Sequence, residues 1–190
     1  MSATSATERL YEPDDLLEME DGVAYELVDG RLVELNLDAQ SQIVATKLAS
    51  YIQQYLDRHP IGVVGTELGL KIFPEHTRRL RRPDVAFLSC KHLPEGVPEG
   101  NVTSPPELVV EVTSPNEANE LEANIHEYFA AGVRLVWVVY SQKRVVQVRH
   151  RDGSALTLAP EAELSDEDIL PGFAVKVADL FPPAGPPQNA

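Results

Sequence analysis

One cysteine, Cys90, stands in 190 residues. An intrachain disulfide and a cysteine-based zinc site are thereby excluded. No apolar run is long enough to span a bilayer, and the opening MSATSATERLYEPDD lacks the basic and apolar regions of a signal peptide. The chain reads as cytoplasmic. Positive charge is scarce: 16 lysines and arginines stand against 30 acids, a formal net charge of −14. That argues against a general nucleic-acid coating protein, because phosphate binding rests on lysine and arginine displacing counterions. None of G-x-x-x-x-G-K-[ST], G-x-G-x-x-G, H-E-x-x-H or G-x-S-x-G occurs. His59, His76, His92, His126 and His150 show no metal-ligand spacing. Between Lys91 and Lys143 there is no lysine at all.

What is present suits one folded domain with a full core. Residues 12–19 predict a short helix with Pro13 near its first turn. AYELVDGRLVEL (24–35) predicts a hairpin turning at Asp29-Gly30. Ile43, Leu48, Ile52, Tyr55 and Leu56 recur at helical spacing and predict a helix over 40–58. Strands are expected at 62–73, 84–89 and 107–113, with a turn beginning at Ser114-Pro115-Asn116. A helix over 116–133 follows, with a stripe of Leu121, Ile125 and Phe129 and a stop at Gly132. A buried strand is expected at 134–140. Two alternating strands follow, joined through Asp152-Gly153. The segment from Asp168 to Phe181 should supply one more short strand and a docking segment. The sum is an α/β domain: helices flanking a mixed β-sheet, with antiparallel hairpins at both ends. Residues 1–10 and 182–190 read as disordered tails.

Three acids stand where acids are costly. Glu111 interrupts the apolar run LVVEV, and Asp84 opens a strand directly after Pro83. An ionised carboxylate is expensive to bury unless it is paired or bound to a metal. If strands 84–89 and 107–112 are neighbours, Asp84 and Glu111 converge at one sheet edge. Their mutual repulsion is then relieved by a divalent cation, and hard oxygen ligands suit Mg²⁺ or Mn²⁺. Glu26 lies in the hairpin strand YELV, on the face it shares with Val28. RRLRR places Arg78, Arg79, Arg81 and Arg82 just before Asp84; it reads either as a solvated edge or as a local basic site.

RRPDVAFLS, PPELVVEVTSP and ELEANIHEYFAAGVRLVWVV, in that order, resemble the Uma2 family of endonuclease-like proteins in the PD-(D/E)XK nuclease superfamily. YELVDGRLVEL and LPGFAVKVADLF extend the likeness over residues 11–181 as a single domain. The resemblance implies a restriction-endonuclease-like core with metal-binding acids on adjacent strands. Asp84 takes the place of the acid in the PD element and Glu111 that of the second acid. Val112 is the intervening residue whose carbonyl joins the metal shell, and Glu26 matches a glutamate of the N-terminal hairpin. The lysine is missing. Thr113 stands at its usual position. Asn124 stands where related sequences supply a lysine from the helix, and an amide donates a hydrogen bond but no charge.

The activity implied is Mg²⁺- or Mn²⁺-dependent hydrolysis of DNA phosphodiester bonds. Asp84, Glu111, Glu26 and Asn124 form the catalytic set, and the four arginines grip the DNA backbone. The alternative is a nuclease-fold protein with little or no catalysis that binds nucleic acid or a protein partner. Double-strand cleavage needs two centres, which favours a homodimer, with strands within 134–158 as its interface.

Overall fold

Alternation along the central strands decides how the sheet is covered. The computed structural model describes residues 9–35, 38–113 and 118–183. In β5 (Leu108–Thr113), Leu108, Val110 and Val112 belong to one core cluster and Val109 to another. In β6 (Leu135–Tyr140), Leu135, Trp137 and Val139 side with the first, and Val136 and Val138 with the second. A strand buried on both faces must be apolar at nearly every position, as these are. Successive side chains point to opposite faces, so Glu111 shares the face of Val109.

The six-stranded sheet runs β3-β4-β5-β6-β7-β8. Its other strands are β3 (Gly62–Gly65), β4 (Val85–Ser89), β7 (Val145–His150) and β8 (Ala155–Leu158). Only β5 and β6 pair in parallel. Parallel neighbours need a long crossover, and helix α3 (Ala118–Ala131) provides it. α3 sends Leu121, Ile125 and Tyr128 into the second cluster. Helix α2 (Ala39–Leu56) covers the opposite face with Val44, Leu48, Ile52 and Tyr55. Burying a side chain such as Leu48 or Ile52 contributes about 1.5–3 kcal/mol. The α2 start is fixed by Asp38, whose carboxylate accepts from the amides of Gln40 and Ser41 at 2.9 and 3.1 Å.

Two hairpins complete the chain. β1 (Tyr25–Val28) and β2 (Arg31–Glu34) pair antiparallel. Asp29 and Gly30 turn them with φ of 52° and 83°, the positive pair that a tight two-residue hairpin demands. A β-carbon on Gly30 would stand 3.2 Å from Tyr11 O and from the side chains of Leu10 and Arg78, so glycine is also needed for space. β9 (Glu163–Asp166) and β10 (Leu170–Lys176) form the other pair. Helix α1 is a single turn, Asp15–Glu18.

Several expectations are corrected. The strand foreseen over 62–73 ends at Gly65. Glu67 adopts a φ of 53°, and Leu70 instead bridges Arg81 and Val102. In α2 the inward residue is Val44, whereas Ile43 is 48% exposed. In α3 Tyr128 is fully buried and Phe129 only partly so. β9 was not foreseen. The strands within 134–158 are not uniformly exposed: β6 is buried up to Tyr140, and only β8 faces out along its length. The expected turn at Ser114-Pro115-Asn116 and the expected tails lie outside the described residues, apart from Arg9, Leu10, Pro182 and Pro183.

Candidate active site

β4 and β5 pair antiparallel with Val85 opposite Val110, so the next step beyond the pairing sets Asp84 beside Glu111. The neighbourhood expected from the sequence is therefore present. Asp84 Oδ2 accepts the Val112 amide at 2.6 Å. That hydrogen bond ties Pro83-Asp84 to β5 at the point where β4 begins. The amide and carbonyl of one strand residue point to the same side, so the Val112 carbonyl faces the Asp84 side as well. Glu111 projects toward α3 and accepts a hydrogen bond from the Tyr128 hydroxyl at 2.7 Å. Burial pushes the Glu111 carboxyl well above the usual range, and the charges of Asp84 and Glu26 push it further. The Tyr128 bond and Arg81 oppose the rise. Tyr128 is itself raised, by burial first and by Glu111 second.

A cleft of about 300 Å³ opens over this edge. Asp84, Glu111, Glu26 and Asn124 all line it, and so do Val112, Thr113, Glu67 and Arg82. Seven carboxylate side chains line it in all, against one arginine and no lysine. Asn124 lies one helical turn before Tyr128 and shares its face. Its Oδ1 is buried and has no hydrogen-bond partner among the described residues.

Glu26 is engaged on both oxygens. Oε1 accepts the Arg82 amide at 2.6 Å, and Oε2 accepts Arg81 Nη1 at 2.9 Å. Arg81 also forks onto Glu127 Oε2 through Nε and Nη2, at 3.0 and 2.8 Å. Arg79 joins Glu127 to Asp29, at 2.8 and 2.9 Å. Burial lowers the Arg81 pKa, but Glu26 and Glu127 outweigh it and the guanidinium ends above its ordinary value. This network ties the N-terminal hairpin, the segment before Asp84 and α3 into one frame behind the two acids.

The arginine cluster therefore differs from its expectation. Arg79, Arg81 and Arg82 are buried, at 8%, 3% and 8% exposure. Arg79 and Arg81 are buried and paired with carboxylates of the same chain, Glu26 and Glu127 largely shielded and Asp29 exposed. Arg78 is about half exposed and pairs with Glu12 at 2.6 Å. Arg82 is hydrogen-bonded to main-chain carbonyls and lines the cleft.

The residues that sequence reasoning missed are Tyr128, Glu127 and Glu67. Tyr128 had a signal, four residues after Asn124 on one helix face. Glu127 and Glu67 had none, since their partners are distant in sequence.

Hard oxygen donors are what Mg²⁺ or Mn²⁺ prefers, and the edge offers the Asp84 and Glu111 carboxylates and the Val112 carbonyl. Asn124, a lining residue of the cleft, carries one more acceptor, its buried Oδ1 with no hydrogen-bond partner among the described residues. Among the described residues no three His, Cys, Asp or Glu side chains form a metal cage by themselves. Mg²⁺ does not need one, because it keeps several waters and uses one or two carboxylates. The donor set fits.

Three comparisons bear on the chain. The Uma2 family model, described as "Putative restriction endonuclease", matches residues 13–178. A crystal structure described as "a putative nuclease belonging to DUF820" from Anabaena variabilis superposes with a TM-score of 0.75. It covers 90% of this chain and 97% of its own at 18% identity, a likeness of fold. No curated protein matches.

Proposed function

Because the chain belongs to the Uma2 family, we propose that it is an endonuclease that hydrolyses DNA phosphodiester bonds with Mg²⁺ or Mn²⁺. The observation that carries the reading is the pair Asp84 and Glu111, brought to one edge by the β4–β5 register, with Glu111 partly buried beside the negative charge of Asp84. Asp84, Glu111 and the Val112 carbonyl are the groups that would hold the ion. Bound there, a divalent ion supplies a polarised phosphate and a water acidic enough to attack it.

The chain's own residues do the positioning. Tyr128 holds one Glu111 oxygen and leaves the other for a ligand. The Val112 amide fixes Asp84 through its Oδ2. Glu26 is a positioning residue in this reading, since both its oxygens are engaged by Arg81 and the Arg82 amide. Asn124 occupies the lysine's place and can orient water or a phosphate oxygen, though it carries no charge. A homodimer would supply the two centres that double-strand cleavage needs. Its contact in this reading is β8, one of the sheet's two edge strands, where Leu156 is 59% exposed.

The test is conversion of supercoiled plasmid in Mg²⁺. Asp84→Asn and Glu111→Gln are each expected to cut the rate about 10²-fold or more, since metal charge stabilisation is worth several kcal/mol. Variants that cleave as fast as the wild type sink the assignment.

A second reading is favoured by one observation, the cleft's seven acids and missing lysine. In it the fold binds nucleic acid or a protein without cutting. Asn124→Lys separates the two. An inert wild type whose variant gains Mg²⁺-dependent nicking identifies the lysine as the absent part. Inert proteins that still bind DNA support the second reading.

A further inference from the structure

The cleft has a charge problem that its metal ligands do not solve alone. Its lining carries seven carboxylates and one guanidinium, and a nucleic-acid strand brings further negative charge. Arg79 and Arg81 are each paired with carboxylates. Arg82 is held differently. Its Nε donates to Tyr25 O and its Nη1 to Glu67 O, both at 3.1 Å, and both acceptors are neutral main-chain carbonyls; the Glu67 and Glu26 carboxylates act on its charge from nearby without accepting a hydrogen bond from the guanidinium. Nη2 makes no hydrogen bond among the described residues.

The support around Arg82 is rigid. The Arg82 amide donates to Glu26, and the Glu67 amide donates to Pro83 O at 3.1 Å. Glu67 sits at a φ of 53°, a left-handed conformation uncommon for a non-glycine residue. That conformation lets Glu67 bond to both Arg82 and Pro83 through its main chain. The result is a guanidinium with fixed direction, inside the cleft, two residues from Asp84.

We propose that Arg82 binds a phosphate of the substrate strand inside the cleft, and so provides the positive charge that no lysine provides there. The proposal rests on the nuclease reading for the identity of the strand. A guanidinium fork matches phosphate oxygens in two-point geometry, and holding it in place beforehand reduces the entropy lost on binding.

The experiment measures binding of a short fluorescein-labelled single-stranded DNA across a range of salt, with Ca²⁺ replacing Mg²⁺ to slow cleavage. Plasmid cleavage in Mg²⁺ is run alongside. Arg82→Gln is expected to bind about ten- to a hundred-fold more weakly, as for the loss of a hydrogen bond to a charged group. The slope of log K against log salt is expected to flatten by about 0.7, one phosphate's share on a single strand. A purely structural role would not move that slope. Arg82→Lys keeps the charge and loses the fork. It is expected to keep the slope, bind about ten-fold more weakly, and remain informative if Arg82→Gln does not fold.

If the wild type cleaves and both variants bind like it with unchanged slope, Arg82 is wrong and the nuclease reading stands. If the wild type binds without cleaving and Arg82→Gln flattens the slope, the nuclease reading fails and Arg82 stands. If the wild type neither binds nor cleaves, both are overturned.

Discussion

Replacing Arg81 with methionine tests whether the acids are held by the frame described. Arg81 bridges Glu26 and Glu127, and its side chain is 4% exposed; theirs are 12% and 21%. Removing one partner of a buried ion pair leaves an uncompensated charge and costs about 3–5 kcal/mol. Glu127 is the most exposed of the three and keeps Arg79 as a partner. The lower half of that range, about 3–4 kcal/mol, is therefore expected. For a chain of this length each kcal/mol lowers Tm by about 2–4 °C, so a fall of about 6–16 °C follows. Thermal and urea unfolding followed by circular dichroism measure it. Adding Glu26→Gln removes one stranded charge, while the Gln carbonyl can still accept the Arg82 amide. The double variant should regain more than half of the loss. A shift below about 1 kcal/mol, the value of an exposed pair, would refute the claim that this network is shielded and structural.

Glu111→Gln should change the pH dependence of stability. The folded carboxyl is raised above its unfolded value, so the folded state binds the proton more tightly. Stability from this group is present at low pH and is lost as pH rises from the unfolded pKa through the folded one. Glu111→Gln is accordingly expected to raise Tm relative to wild type at neutral pH and to leave it little changed near pH 4. Equal Tm differences at both pH values would contradict the raised carboxyl. Leu156→Lys on β8 is expected to convert a dimer to a monomer in light scattering at fixed protein concentration; a wild type that is already monomeric removes the dimer from the account.

The fold was legible wherever one periodicity held over a whole element. α2, the Asp29-Gly30 hairpin and the β5–α3–β6 unit follow from apolar spacing and turn residues alone. The failures have local causes. Alternation continues past Gly65 in the sequence, yet Glu67 turns left-handed and takes the chain out of the sheet. β9 buries only Leu164 fully, too little to signal a strand. Glu111 stood out because an acid inside an apolar run is an anomaly with few physical explanations, and Asp84 because it opens a strand directly after Pro83. Their supports were not. Glu26 lies 55 residues from Arg81, and Glu127 lies 46 from it. Four arginines in five positions look like one basic patch in sequence. In the fold Arg79 and Arg81 bind carboxylates, Arg78 stays at the surface, and Arg82 turns to the cleft.

The most direct test is a crystal soaked in Mn²⁺. Density bonded to oxygens of both Asp84 and Glu111, at about 2.0–2.3 Å as for small hard divalent ions, is the predicted result. Its absence there, with Mn²⁺ bound elsewhere or not at all, would contradict the claim that this pair of acids is the metal-dependent centre.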